Sequence, residues 1–190
     1  MNTVKIEKAD RKIALELLGV KGPASDNMVA LFDKYEPLLL DKLTPCYVYK
    51  AFPIDENFSG GTIGAILQGE DIKKHMANCK KIILFAATLG FSPDGLITMA
   101  TVSRNTTKAL IVDALASAVI EQVCDMVESQ ISANKKTTTR YSPGYGDFPL
   151  TVQNDLLAAL DAKKQIGVHV TEEGLLIPRK SVTAAVGVYS

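Results

Sequence analysis

The chain has 190 residues, 47% of them hydrophobic and 22% charged. That is the composition of one or at most two compact domains, with enough apolar residues to fill a core. Its 21 basic and 21 acidic residues cancel, so the basic excess that drives most nucleic-acid affinity is missing and no nucleic-acid partner is expected. Three scattered cysteines, Cys46, Cys79 and Cys124, fit a reducing cytoplasm better than a disulfide scaffold.

The chain opens on Met1-Asn-Thr-Val-Lys-Ile-Glu, which has no apolar run of signal-peptide length. Residues 8–18 have helical spacing, with Ile13, Leu15, Leu17 and Leu18 on one broad face, and Gly19 to Pro23 stop them. Ser25 and Asp26 are set to cap a second helix that turns Met28, Leu31, Phe32 and Tyr35 inward; Pro37 is predicted to end or kink it near Glu36. Residues 45–53, with Cys-Tyr-Val-Tyr-Lys-Ala-Phe between two prolines, read as a strand. Residues 57–61 read as a turn and 62–67 as a second strand.

A short helix is predicted from Gly69 to about Asn78. A buried strand follows over 81–89, stopped by Gly90. Helical material begins at Ser92-Pro-Asp94, breaks near Ser103-Arg-Asn105 and continues to about Ser132. Its most apolar part, 109–127, is about long enough to span a bilayer, but Asp113, Glu121 and Asp125 would be costly there. It reads as a buried helix, and no membrane partner is expected. Residues 133–139 form a polar linker, 140–149 a Gly/Pro loop and 150–163 a helix. Strand-like runs at 167–170, 174–177 and 181–189 close the chain. Strands and helices interleave without a regular βαβ series, so the expected class is α+β: a mostly antiparallel sheet with helices packed around it. A single domain over 1–190 is expected, with a helical N-terminal part over 1–60.

Several chemistries lack their motifs. His75 and His169 are the only histidines; His75 and Cys79 are four apart, and no second pair follows at zinc-finger spacing. There is no Gly-x-Ser-x-Gly elbow, no phosphate loop and no Gly-x-Gly-x-x-Gly. Neither a metal site nor a catalytic protein nucleophile is expected, and reactive atoms would have to come from cofactors.

The loop Arg140-Tyr-Ser-Pro-Gly-Tyr145, with Gly146 and Phe148 beyond it, combines a planar fork suited to a carboxylate, a turn dipeptide and aromatic rings. These suit a small zwitterion bearing a flat ring. On turn chemistry alone, a packed turn stapled to the core by its aromatics is the more economical account. Asp113, Ser117, Glu121 and Asp125 fall at four-residue intervals and form a polar stripe that either is solvated or lines a ligand groove. Glu121 on an otherwise apolar helix needs a partner, either a neighbouring Lys or Arg or a cationic ligand. Arg179-Lys180 faces solvent by default, or a partner.

Arg140-x-x-x-Gly144-Tyr145 followed by Pro149 resembles the Arg-x-x-x-Gly-Tyr motif of the activation (reactivation) domain of cobalamin-dependent methionine synthase. Ala114-Leu-Ala-Ser-Ala-Val-Ile-Glu121 is similar to that family's preceding helix, and residues 172–182, with Pro178 and Ser181-Val182, to its closing segment. Thr88-Leu89-Gly90 looks like the start of this region in shorter free-standing members, so residues 80–190 carry the resemblance. It implies an activation-domain-like fold and S-adenosylmethionine as ligand, held by Glu121, Arg140, Tyr141, Ser142, Pro143, Gly144 and Tyr145. Arg140 would pair with the methionine carboxylate, 141–144 would supply backbone hydrogen bonds, and Tyr145 would face the corrin. Asp94 and Asp113 are the candidates for a ligand-binding aspartate from the family's longer N-terminal part.

Asp-x-His-x-x-Gly and a zinc-binding cysteine cluster are both missing. Cobalamin would therefore be reached only through a partner. The resemblance implies an accessory component of methionine synthase, inactive alone, serving reductive methylation of cob(II)alamin on a separate cobalamin-bearing methionine synthase. A flavodoxin-like protein would donate the electron. The alternatives are reactivation of another corrinoid methyltransferase, or a non-catalytic S-adenosylmethionine-sensing module.

Overall fold

The computed structural model describes residues 1–55, 58 and 60–189. A four-stranded antiparallel sheet forms its middle layer, in the order β1 (Asn2–Thr3), β2 (Cys46–Pro53), β3 (Lys81–Thr88), β6 (Ser181–Val188). Side chains alternate across a strand, and here both faces are apolar. Ile83, Phe85 and Ala87 of β3 join Ala184 and Val186 of β6 in one core cluster. Ile82, Leu84, Ala86 and Ala185 join the other. This explains why β3 reads as a continuous apolar run: it is central and covered on both sides.

The first face is covered by α1 (Arg11–Leu17), α2 (Asp26–Leu40), α5 (Ser92–Val102) and α6 (Thr106–Ser132). α6 supplies Leu115, Val119, Val123 and Val127, all fully buried. The second face is covered by α3 (Gly61–Ile66), α4 (Glu70–His75), α7 (Gln153–Leu160) and α8 (Ala162–Ile166). A small ribbon of β4 (His169–Val170) and β5 (Leu176–Ile177) lies beside them. Among the described residues, no helix is long and apolar enough to cross a membrane.

The antiparallel sheet wrapped in helices is the architecture expected, and the break between α5 and α6 falls where the sequence places it, with Arg104 in a left-handed turn at φ 58°. Ser25 caps α2 by accepting the Met28 N–H at 3.3 Å. Four local expectations fail wholly or in part. Residues 62–67 were expected as a strand, but α3 runs Gly61–Ile66: Ile63 and Ile66 are buried three apart on one helical face, a spacing six residues are too few to reveal. Pro37 does not end α2, which continues to Leu40; Leu39 is fully buried there, and its packing outweighs one lost backbone hydrogen bond. The helix expected over 150–163 is a 3-10 turn (Leu150–Val152), then α7, then α8, separated by a left-handed Asp161 at φ 51°. In α1 the expected face holds only in part: Ile13, Leu15 and Leu18 pack against the core, but Leu17 points outward and the fully buried residue is Ala14. The turn expected over 57–61 lies partly outside the described residues.

The β6 edge is also covered. Residues 136–141 run beside it: the Thr138 N–H donates to Gly187 O at 2.9 Å, and Tyr141 and Ala185 exchange both backbone bonds at 2.9 Å each. A sheet buried on both faces predicts symmetric sensitivity. Leu84→Ala and Phe85→Ala, on opposite faces, should each lower unfolding free energy by about 3–5 kcal/mol, measured by urea denaturation. A near-neutral result for either would mean that its face is not packed.

Candidate functional site

Because residues 136–141 behave as an extra strand, successive side chains point to opposite layers. Tyr141 turns to the α4 side, packing on the second core cluster, with its ring 5.0 Å from His75 and 6.2 Å from Phe148. Arg140 turns to the α6 side. Its guanidinium donates to Glu121 at 2.7 Å, to Asp125 at 2.7 Å and to Glu128; its backbone N–H reaches Glu128 at 2.7 Å. Burial lowers the Arg140 pKa, but hydrogen bonds from Asp125 and Glu128 more than reverse this, and it ends above its ordinary value. Cys124 is fully buried beside this cluster. Burial, opposed by Arg140 and assisted by the three carboxylates, pushes its thiol up to about 12, so it is no nucleophile.

The polar stripe of α6 is partly exposed, but each of its carboxylates is paired with a cation. Its N-terminal half is met by Lys180, whose ammonium lies 2.8 Å from Asp113 and 2.7 Å from Ser117 Oγ. With 12% of its side chain exposed, Lys180 does not face solvent, contrary to expectation; Arg179 does. Glu121 has the neighbouring-arginine partner that was one of its two alternatives.

The loop beyond Arg140 is fastened to α4 from behind. Asp147 accepts the Glu70 N–H at 2.7 Å and the Asp71 N–H at 3.0 Å. The bonds from Asp71 and Glu70 hold its carboxyl below the usual range. His75 Nε2 contacts Thr139 O at 2.8 Å, so His75 and Cys79 form no ligand pair. Gly146 has φ +52°, and a Cβ there would meet Asp71 Oδ2 at 2.5 Å and Tyr141 Oη at 2.7 Å. A side chain there would sit in a left-handed backbone and would have to displace both groups, which favours glycine.

Between loop, α6 and β6 lies a groove of about 460 Å³, lined by Glu121, Arg140, Ser142, Pro143, Gly144, Tyr145, Gln153, Leu176, Ser181, Val182 and Thr183. Of the seven residues singled out from sequence as ligand contacts, it gathers six. Tyr141 is the exception, because strand alternation sends it to the other layer. The backbone expectation narrows too: the N–H groups of Tyr141 and Gly144 are taken by Ala185 O and by Phe148 O at 2.7 Å. Among the described residues, the Ser142 N–H and the Pro143 and Gly144 carbonyls have no backbone partner. Tyr145 stands 64% exposed at the rim.

Asp94 and Asp113 do not line the groove. Asp94 accepts the Arg179 N–H at 2.9 Å, and its Oδ1 is buried without a partner among the described residues. Gln153, Leu176 and Thr183 were not singled out. The available signal was Thr183, a hydroxyl inside an otherwise apolar strand.

No protein-family model and no curated protein matches the chain by sequence. Among solved structures, it matches the crystal structure of the MetH reactivation domain bound to AdoHcy with TM-score 0.68 at 17% identity, over 95% of this chain and 74% of that chain. Arg140→Ala should cost about 1–2 kcal/mol of stability, because half-buried Glu128 loses its guanidinium and keeps only the residue-140 N–H, while the more exposed Glu121 and Asp125 lose little. Chemical denaturation at low and high salt checks this, with the deficit shrinking at high salt. By architecture, this chain has the fold of the MetH reactivation domain.

Proposed function

We propose that this chain is an S-adenosylmethionine-binding accessory module for reductive methylation (reactivation) of cob(II)alamin on a separate cobalamin-dependent methionine synthase. The observation that carries the reading is the groove, in a fold shared with a reactivation domain described as bound to AdoHcy. At about 460 Å³ it falls in the range of small-ligand sites. Its lining is mostly polar, with Pro143, Leu176 and Val182 as the apolar surfaces.

The donor set fits the ligand. Of the five guanidinium donors of Arg140, the Nε–H and one Nη2 hydrogen have no partner among the described residues, which suits a carboxylate. Three carboxylates face that single guanidinium, and the surplus negative charge attracts a sulfonium or ammonium. The Ser142 N–H and the Pro143 and Gly144 carbonyls are available to the ligand, and exposed Tyr145 faces the incoming corrin.

Held by Glu121, Arg140 and residues 142–145, S-adenosylmethionine would supply an activated methyl group to the partner's cobalamin after its one-electron reduction by a flavodoxin-like donor, with the C–S bond broken and S-adenosylhomocysteine as the leaving product. This chain's task is to hold the ligand so that its methyl points out of the groove at near-attack distance. No general base is needed for such a transfer.

Titration calorimetry with S-adenosylmethionine tests the ligand. Wild type should bind, and Arg140→Lys, which keeps charge but loses the fork, should bind about tenfold more weakly. Absence of wild-type binding would remove the proposal. Labelled methyl group should then reach cobalt on a methionine synthase that lacks its own activation domain, in the presence of reductant. Label reaching only another corrinoid protein would reassign the partner.

A further inference from the structure

The groove contains a second polar group that the preceding reading does not use. Gln153, at the start of α7, is 5% exposed, and Thr183, on β6, is 2% exposed. The Thr183 hydroxyl donates to Gln153 Oε1 at 2.7 Å, and Gln153 Nε2 lies 3.5 Å from Gly174 O. The two contacts fix the amide's orientation: turning it over would set Oε1 against the Gly174 carbonyl, oxygen to oxygen. An amide nitrogen carries two hydrogens. One makes the long bond to Gly174, and the other has no partner among the described residues.

A buried, oriented, unspent N–H in the wall of a cavity is a costly feature unless something accepts from it. The groove surfaces around it include Pro143, Leu176 and Val182, which suit the faces of a flat ring.

We infer that the Gln153 amide is a specificity determinant that donates a hydrogen bond to a ring nitrogen of the ligand's heteroaromatic base, with the Thr183 hydroxyl as the positioning group that aims it. The inference rests on the S-adenosylmethionine reading and makes the base adenine. A ring with an acceptor there is accepted; a ring carrying C–H in its place leaves the amide unsatisfied and is rejected.

The test is a cross between protein and ligand changes, read by calorimetry. The ligands are S-adenosylmethionine and analogues in which one ring nitrogen of adenine is replaced by C–H. The proteins are wild type, Gln153→Met, which keeps shape and removes the donor, and Thr183→Val, which keeps the donor and removes its aim. For wild type, one analogue should bind about tenfold more weakly than the parent. Gln153→Met should weaken the parent by a similar factor and that one analogue no further. Thr183→Val should weaken the parent as well, which keeps the test open if Gln153→Met fails to fold. Undiminished parent binding by folded Gln153→Met, or an equal loss for the parent and every analogue, would overturn the inference and leave the ligand assignment standing. Wild type that binds no S-adenosylmethionine would instead remove the assignment beneath it.

Discussion

The groove depends on the zippering of residues 136–141 along the edge of β6. The Tyr141–Ala185 bridge, one residue out of register with the Thr137–Val188 bridge, holds the backbone extended at this point, so Arg140 and Tyr141 enter opposite layers. Tyr141 is built into the α4 side beside His75 and Phe148. Arg140 is driven against the three carboxylates of α6. A one-residue slip would exchange the two and place a charge in an apolar core. The same pairing covers the sheet's free edge, so one segment both finishes the fold and delivers the site.

Polar groups around the groove are mostly spoken for, and this orders them. Lys180 meets the N-terminal half of the α6 stripe and Arg140 the C-terminal half. Asp147 secures the loop from behind by hydrogen bonds to α4. Among the described residues, the groups left over include two guanidinium hydrogens, the Ser142 N–H, two loop carbonyls and one Gln153 hydrogen. On the proposed reading, a site assembled this way would position a ligand whose reacting atoms arrive on cofactors.

How much could be read in advance depended on the range of the signal. The β3 strand, the α5–α6 break at 103–105 and the extent of the 140–149 loop follow from local pattern and turn chemistry, and the structure has them. The structure also gathers Glu121 with Arg140 and residues 142–145 around one groove, residues that the family resemblance named together. Failures came where packing overrode a local preference: buried Leu39 carries α2 through Pro37, and Ile63 and Ile66 make a helix of a β-branched stretch. The direction of the Tyr141 side chain was not legible, because it depends on pairing with Ala185, forty-odd residues away. Gln153 and Thr183 were missed because their meeting is a tertiary event across thirty residues.

A crystal structure of the protein grown with S-adenosylmethionine or its demethylated product tests the central claim most directly. The account predicts the ligand between the 140–145 loop, α6 and β6. Its carboxylate should lie within hydrogen-bond distance of Arg140, its base beside Gln153 and its sulfur end open to solvent near Tyr145. A ligand bound elsewhere, or in the groove without contact to Arg140, would contradict it.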